Sequence, residues 1–447
     1  MRRILLSIVS AILFVSVGGA QEVKQMSLKE CTEYALKHNY TVKNAQIDVL
    51  IQKAQNNELL SASYPHINGK ADFTDFYVPT SSFVDQKAFN PAADHKIIPI
   101  SFTVPYSSSA GVTASQLLFD GAVFIALKAR NSVMEMARNN EAVTEETVRY
   151  NVYKAYNSLV IAYRQYDIIK NSLGYARSLE HDLEITRLNG FAEKIDVERT
   201  SVQVNNLATD SIRIGNMLKV SEQVLKYQIG MDMNTQIVLN DTGTAQRREA
   251  ALSLLAEEKN YERVPEYVLL NTTMKLNEYN LRRYKLSALP TFNTYWAYGV
   301  NYGTDDFWRL YANRHDWMPN STIGIQMNLP IYNGSLRANQ VHEAKLNIEK
   351  NKNNIDFMKQ TIDFQVEMYR TTLKNTILQV QSQRRNMELA ADVLDLAQRK
   401  YKAGVGSNLE VTQAQTDQLR AQTGYFSALL DLINAEADLK KALGLLK

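Results

Sequence analysis

GIQMNLPIYNGSLRANQVHE, residues 324–343, changes period half-way along. Up to Ile331 apolar and polar residues alternate, as in a strand; after Asn333-Gly334 the apolar spacing lengthens to that of a helix. The same change occurs earlier, in GVTASQLLFDGAVFIALKAR at residues 111–130, where Phe119-Asp120-Gly121 falls on Tyr332-Asn333-Gly334 at an offset of 213. LNGFAEKIDV (188–197) falls on KAGVGSNLEV (402–411) at an offset of 214, and Gly230 falls on Gly444 at that same offset. Upstream, Tyr64-Pro65 matches Leu289-Pro290, each closing a helical run and opening a strand-like one. Four landmarks in one order define a tandem duplication of a unit of a little over 200 residues.

Each unit reads as helix, strand, loop, strand, long helix, short turn, helix. The first repeat is expected at residues 21–230, with a helix at 28–61, strands at 67–78 and 100–119, a long helix at 122–188 and a return helix at 194–230. Residues 231–261 have no counterpart at the end of the chain and are expected to form an extra belt around the helices. The second repeat, 262–447, places strands at 292–302 and 321–332, a long helix at 335–402 and a return helix at 408–443. Polar loops are expected at 79–97 and 303–320. Phe307, Trp308, Tyr311 and Trp317 in the second loop fit either a membrane interface or packing of the loop on a barrel rim.

The strands of the second repeat carry the clearest alternation. Ile323, Ile325, Met327, Leu329 and Ile331 share one face, and Thr322, Gly324, Gln326 and Asn328 the other. Phe292, Thr294, Trp296, Tyr298, Val300 and Tyr302 likewise share a face. One wholly apolar face fits a half-buried strand of a soluble sandwich or a strand between lipid and water. The surrounding helices favour lipid and water, because only four strands are visible, as two hairpins far apart in the chain.

The segments between Gly121 and Gly190 and between Gly334 and Gly404 lack proline and nearly lack glycine. As helices they extend about 100 Å each, too long for one globular core to cover. Leu373, Ile377, Val380, Met387, Leu394 and Tyr401 recur at coiled-coil spacings, and Leu419, Phe426 and Ile433 continue the stripe on the return helix. Rods of this kind bury their stripes against one another.

The first residues, MRRILLSIVSAILFVSVGGAQ, place Arg2 and Arg3 before an apolar run over 4–17 and the small residues Gly18, Gly19 and Ala20. This is the pattern of a secretory leader at residues 1–20, cleaved after Ala20; the run is short for a membrane anchor. The lone cysteine, Cys31, has no internal disulfide partner and reads as a buried apolar residue. Net charge is +3, and removing Arg2 and Arg3 leaves 48 basic against 47 acidic residues, so nothing recommends a nucleic-acid partner. His38, His66, His95, His181, His315 and His342 are scattered, His342-Glu343 lacks the second histidine of a zinc-protease helix, and no phosphate loop or G-x-S-x-G elbow occurs. No catalytic residue, cofactor or metal is expected.

An exported chain with amphipathic strands and no membrane-spanning helix enters a bilayer only as a closed barrel. Four strands do not close, whereas a cyclic trimer supplies twelve. Asp120-Gly121 and Asn333-Gly334 then mark where barrel becomes helix, with Asp120 and Asn333 suited to accept the first free helical amides. Gly190 and Gly404 to Gly406 mark the tips of two helical hairpins. Ser407-Asn408-Leu409-Glu410 has the form of a capping box, in which Ser407 accepts the Glu410 amide and the Glu410 side chain reaches back. The first repeat has Glu193 where Ser407 stands, so the device is only half repeated.

The duplicated unit, the (F/Y)-(D/N)-G junctions and the turn Tyr401-x-x-Gly404 followed by Ser407-x-x-Glu410 resemble the TolC-like outer-membrane efflux proteins. The resemblance covers nearly all of the mature chain. It implies a mainly α fold with a small transmembrane β part: a homotrimer with a twelve-stranded barrel in the outer membrane and a helical tunnel through the periplasm. The tip is implied to meet a periplasmic adaptor bound to an inner-membrane pump of the RND or ABC type, and the duct to pass drugs, toxins or proteins outward without catalysis. Tyr401 and Gly404 match the family's tip tyrosine and glycine. Glu410 stands where the pore constriction often has an acidic residue, with Asp196 as its counterpart. Gln413 replaces a second acidic residue, and Gly406 replaces an arginine that in some members ties the gate shut, so the pattern departs from a salt-bridged gate. Glu410 fits either a helix cap or a threefold anionic ring. A periplasmic coiled-coil scaffold or adaptor without a pore is the alternative reading; it leaves the apolar face at 323–331 unexplained.

Overall fold

A computed structural model describes residues 24–92, 94–240, 247–312 and 316–446. In chain order its elements are β1 (Lys24–Met26), α1 (Leu28–His38), α2 (Tyr40–Ser61), β2 (His66–Asp75), β3 (Ser81–Asp85), β4 (Ile97–Ser101), β5 (Tyr106–Phe119) and α3 (Gly121–Leu188). There follow α4 (Lys194–Ile229), β6 (Ile237–Leu239), α5 (Arg247–Leu255), α6 (Pro265–Leu286), β7 (Thr291–Thr304), β8 (Met318–Asn328), α7 (Leu336–Lys402) and α8 (Asn408–Ala442). The leader expected at residues 1–20 and the Tyr311 side chain lie outside this description. The chain divides into two units, one formed by residues 49–137 and 270–354, the other by the remainder.

In the first unit β2, β5, β7 and β8 form an antiparallel sheet in that order. Both β2 and β7 begin on the residue after a proline, His66 after Pro65 and Thr291 after Pro290. The register sets Ile67 opposite Ala114, Ala114 opposite Trp296, and Trp296 opposite Ile323, so apolar side chains line up across all four strands. That face is bare: Ile323, Ile325 and Met327 are 79, 70 and 58 % exposed. The opposite face carries Asn68, Lys70, Thr113, Ser115, Asn293, Thr322 and Gln326. Among the described residues β2 and β8 are open edges, with unpaired backbone donors and acceptors on their outer sides.

Several strand boundaries differ from those expected. The strand expected over 100–119 is two: Ile100 and Ser101 end β4, which pairs with β3, and β5 starts at Tyr106. Pro105, which has no N–H to give a ladder, separates them. The loop expected at 79–97 therefore contains β3 and ends on the first residue of its partner β4. The strand expected at 67–78 stops at Asp75, where Phe76 instead donates its amide to the Pro105 carbonyl. The strand expected to 332 stops at Asn328, two residues before Pro330. In the second loop Phe307 packs edge-on against Phe73 and Tyr106 and Trp317 lies against Tyr302, while Trp308 is exposed.

In the second unit the helix expected over 28–61 is broken at Asn39. Asn39 takes an extended conformation, its side-chain oxygen accepts the Thr41 amide, and its side-chain nitrogen donates to the Gln228 carbonyl. One asparagine thus ends α1, starts α2 and ties both to α4. α1 itself begins with a full capping box, in which the Glu30 amide donates to Ser27 and the Ser27 amide donates to the Glu30 carboxylate. A three-residue parallel pairing of β1 with β6 joins the start of the described chain to the 231–261 segment.

Among the described residues this unit has four apolar clusters, two of them away from the turns at Gly190 and Gly404. Cys31, Ala35 and Val42 pack with Val152, Tyr156 and Leu159 of α3 and Leu225 and Ile229 of α4; burial pushes the Cys31 thiol up to about 12. Leu373 and Ile377 of α7 pack with Leu429, Ile433 and Leu439 of α8, and Ala251 and Leu254 of α5 join them. Among the described residues no helix is long and apolar enough to cross a membrane.

Candidate functional site

α3, α4, α7 and α8 meet at two turns that repeat one another. Gly190 and Gly404 have φ values of +82° and +75°. In the first turn the amides of Gly190 and Phe191 donate to the carbonyls of Arg187 and Thr186; in the second those of Gly404 and Val405 donate to Tyr401 and Lys400. This double closure satisfies the last carbonyls of a helix and requires the left-handed residue that glycine provides. Gly230 and Gly444 close α4 and α8 in the same way. Gly406 differs: a Cβ there would lie 2.9 Å from the Tyr401 nitrogen, so close backbone approach rather than positive φ dictates the residue.

The structure brings together residues of both repeats. Leu179 and Leu183 of α3, Leu394 and Ala397 of α7, and Val411 and Ala414 of α8 form one apolar cluster, with Tyr175, Val197 and Tyr401 at its margin. Burial, followed by the carboxylates of Asp196 and Asp182, pushes the Tyr401 phenol up. Tyr401 therefore stays neutral and acts as a packing residue with a polar tip. The Asp196 carbonyl accepts from the Thr200 hydroxyl, and Asn408 bonds the same hydroxyl across the α4–α8 contact. Gly190 stands in open space at its own turn.

Ser407 caps α8, accepting the Glu410 amide at 3.2 Å. The return half of the expected capping box is absent: the Glu410 carboxylate instead meets the Lys400 ammonium at 3.3 Å. A cation one helix earlier outcompetes a neutral amide for a charged acceptor. Glu193, as expected, caps α4 without a side-chain bond. Gln413 donates to both oxygens of Asp417, so an acidic group stands one helical turn further on. Lys400, Glu410, Gln413 and Asp417 line a cleft of about 410 Å³ whose apolar wall is Val393, Leu396 and Leu409. Sequence reading missed Lys400, Asn408 and Asp417. Asp417 and Lys400 were legible as charges flanking Glu410, but Asn408 shows its role only once α4 is seen beside it.

At the strand–helix junctions the two repeats diverge. Asp120 caps α3, its carboxylate accepting the amides of Ala122 and Val123 at 2.7 and 3.2 Å. Gly121 is held against the Leu286 carbonyl, which a Cβ would approach to 2.9 Å. Asn333 does not cap in the expected way: its backbone carbonyl, not its side chain, takes the Leu336 amide. Gly334 and Ser335, both at positive φ, add a turn that delays α7 to Leu336.

A family profile described as outer membrane efflux protein matches residues 277–445. The toluene efflux pump outer membrane protein TtgC of Pseudomonas putida is 25 % identical over 368 residues, covering 76 % of this chain and 69 % of TtgC. The outer membrane protein TolC of Salmonella enteritidis is 20 % identical over 345 residues with the same coverage. The crystal structure of the Campylobacter jejuni CmeC outer membrane channel superimposes with a TM-score of 0.70 at 18 % identity, over 93 % of this chain and 85 % of CmeC. Residues 277–445 match the outer membrane efflux protein family, and the chain has the fold of the TolC-like outer-membrane channels. Like these relatives and structural neighbours it resides in the outer membrane, with most of its mass in the periplasm.

Proposed function

We propose that this chain is the outer-membrane channel subunit of a tripartite efflux or type I secretion system and works as a homotrimer. The observation that carries the reading is the four-stranded sheet with an exposed apolar face and two open edges. An open edge in hydrocarbon leaves backbone groups unpaired, and three copies joined β8 to β2 supply twelve strands with no edge left. The helical hairpins continue the duct into the periplasm. Their tips, where Phe191 and Val405 are exposed, meet a periplasmic adaptor linked to an RND or ABC-type inner-membrane pump.

Small organic molecules are the favoured cargo, the relative TtgC being a toluene efflux component. The chain itself catalyses no reaction and needs no cofactor, metal or nucleic acid. Glu410, repeated three times around the axis, gives the pore an anionic ring that favours cations. Reversal potentials in planar bilayers test this: the wild-type trimer is expected to conduct and prefer potassium over chloride, and Glu410→Gln to lower that preference. A folded trimer that does not conduct overturns the pore, and unchanged selectivity removes Glu410 from the constriction.

A further inference from the structure

At the end of the apolar face lies a basic cleft of about 420 Å³, formed by Lys285 at the end of α6 and Ile331, Tyr332, Asn333, Ser335 and Arg337 around the start of α7. Neither Lys285 nor Arg337 has an ion pair among the described residues. No acidic residue occurs in 279–304 or 317–342, which include both walls of the cleft, while Arg282 and Arg283 add further positive charge. The junction carboxylate of Asp120 is occupied by the amides of Ala122 and Val123.

The apolar stripe Ile323, Ile325, Met327, Leu329 and Ile331 runs down β8 and past its end, and closes on Ile331 and Tyr332, which are 89 and 83 % exposed. A stripe of hydrocarbon-facing side chains, then an exposed tyrosine, then unpaired cations is the order of acyl chain, interface and headgroup. We propose that this cleft binds the anionic headgroup of a phospholipid of the periplasmic leaflet. The phosphate is held by Lys285 and Arg337, with the Ser335 hydroxyl and Asn333 amide as further donors, and an acyl chain lies along the β8 stripe. Arginine supplies a planar two-donor fork and lysine a point charge, a pairing suited to a phosphodiester. The site rests on the outer-membrane placement of the sheet, not on the pore itself.

Native mass spectrometry of the detergent-extracted, delipidated protein, titrated with phosphatidylglycerol, phosphatidylethanolamine or inorganic phosphate, tests the site. The wild type is expected to retain phosphatidylglycerol about tenfold better than the Lys285→Gln/Arg337→Gln double variant. Phosphatidylethanolamine is expected to bind both proteins alike, and phosphate to leave the bound lipid in place. Equal phosphatidylglycerol retention by both proteins overturns the site. So does displacement of the lipid by phosphate, which makes the cleft a free-anion pocket, or a wild type that binds no lipid because a neighbouring copy covers the cleft. Conductance from the same preparations separates the two readings: a conducting protein without lipid selectivity defeats the lipid site alone, and a lipid-selective protein that does not conduct defeats the pore alone.

Discussion

The Lys400 ammonium lies 3.3 Å from the Glu410 carboxylate, across the turn that joins α7 to α8, and both side chains are about half exposed, at 47 and 50 %. A pair so wet is screened by water and salt and contributes at most about 1 kcal/mol. Its position matters more than its strength, because Glu410 also lines the tip cleft. A double-mutant cycle of Lys400→Gln and Glu410→Gln, followed by thermal unfolding, should give a coupling of about 1 kcal/mol or less. Coupling above about 2 kcal/mol would show that the pair holds the turn together.

Two glycines of the tips should respond differently to alanine. Gly190 sits in open space at positive φ, so Gly190→Ala should cost about 1 kcal/mol of backbone strain. A Cβ at Gly406 meets the Tyr401 nitrogen at 2.9 Å and the Lys400 Cβ at 3.0 Å, so the turn itself has to move. Hydrogen exchange at residues 401–410 should rise more in Gly406→Ala than exchange at residues 187–196 does in Gly190→Ala. The reverse order would contradict the close approach.

Glu146 is 3 % exposed, and one of its carboxylate oxygens has no partner. Burial, then the neighbouring Glu266, pushes its carboxyl up from 4.5 to about 7, against the opposing pull of Lys441 and Arg149. Between these values the folded protein holds a proton that the unfolded chain has lost. Its stabilisation is therefore full below pH 4.5, falls as pH rises, and is gone above about 7, a change on the order of 3 kcal/mol at most. Thermal unfolding should occur at lower temperature at pH 8 than at pH 5.5, and Glu146→Gln should shrink that difference. A variant with the wild-type pH dependence would remove Glu146 as its source.

At the α4–α8 contact the Thr412 hydroxyl is buried without a partner. Such a group is more costly than the methyl of similar size. Thr412→Val should leave unfolding unchanged or raise stability by up to about 1 kcal/mol, and a comparable loss would mean that the hydroxyl is satisfied in the assembled protein.

These sites differ in how far the sequence announces them. The β8 stripe was readable because its two faces differ at every second residue and both stay uniform. Gly190, Gly404, Gly230 and Gly444 were readable because each ends a helix by the same backbone geometry, in register with the repeat. The break at Asn39 was not, since neither glycine nor proline marks it and its partner is the Gln228 carbonyl, far along the chain. The β4–β5 split was hidden because Ile98 and Ile100 prolong the alternation up to Pro105. Ser407 and Glu410 carried half their geometry in their spacing, but the Glu410 side chain follows Lys400, whose position depends on how the turn closes. The basic cleft at Lys285 and Arg337 joins segments more than fifty residues apart, which no local pattern records.

In the proposed trimer the open edges of β2 and β8 close against neighbouring copies in the outer membrane. Light scattering on the detergent-extracted protein, after membrane and soluble fractions are separated, tests this closure most directly. A particle of three chains, found in the membrane fraction, is the expected result. A soluble monomer or dimer would contradict it.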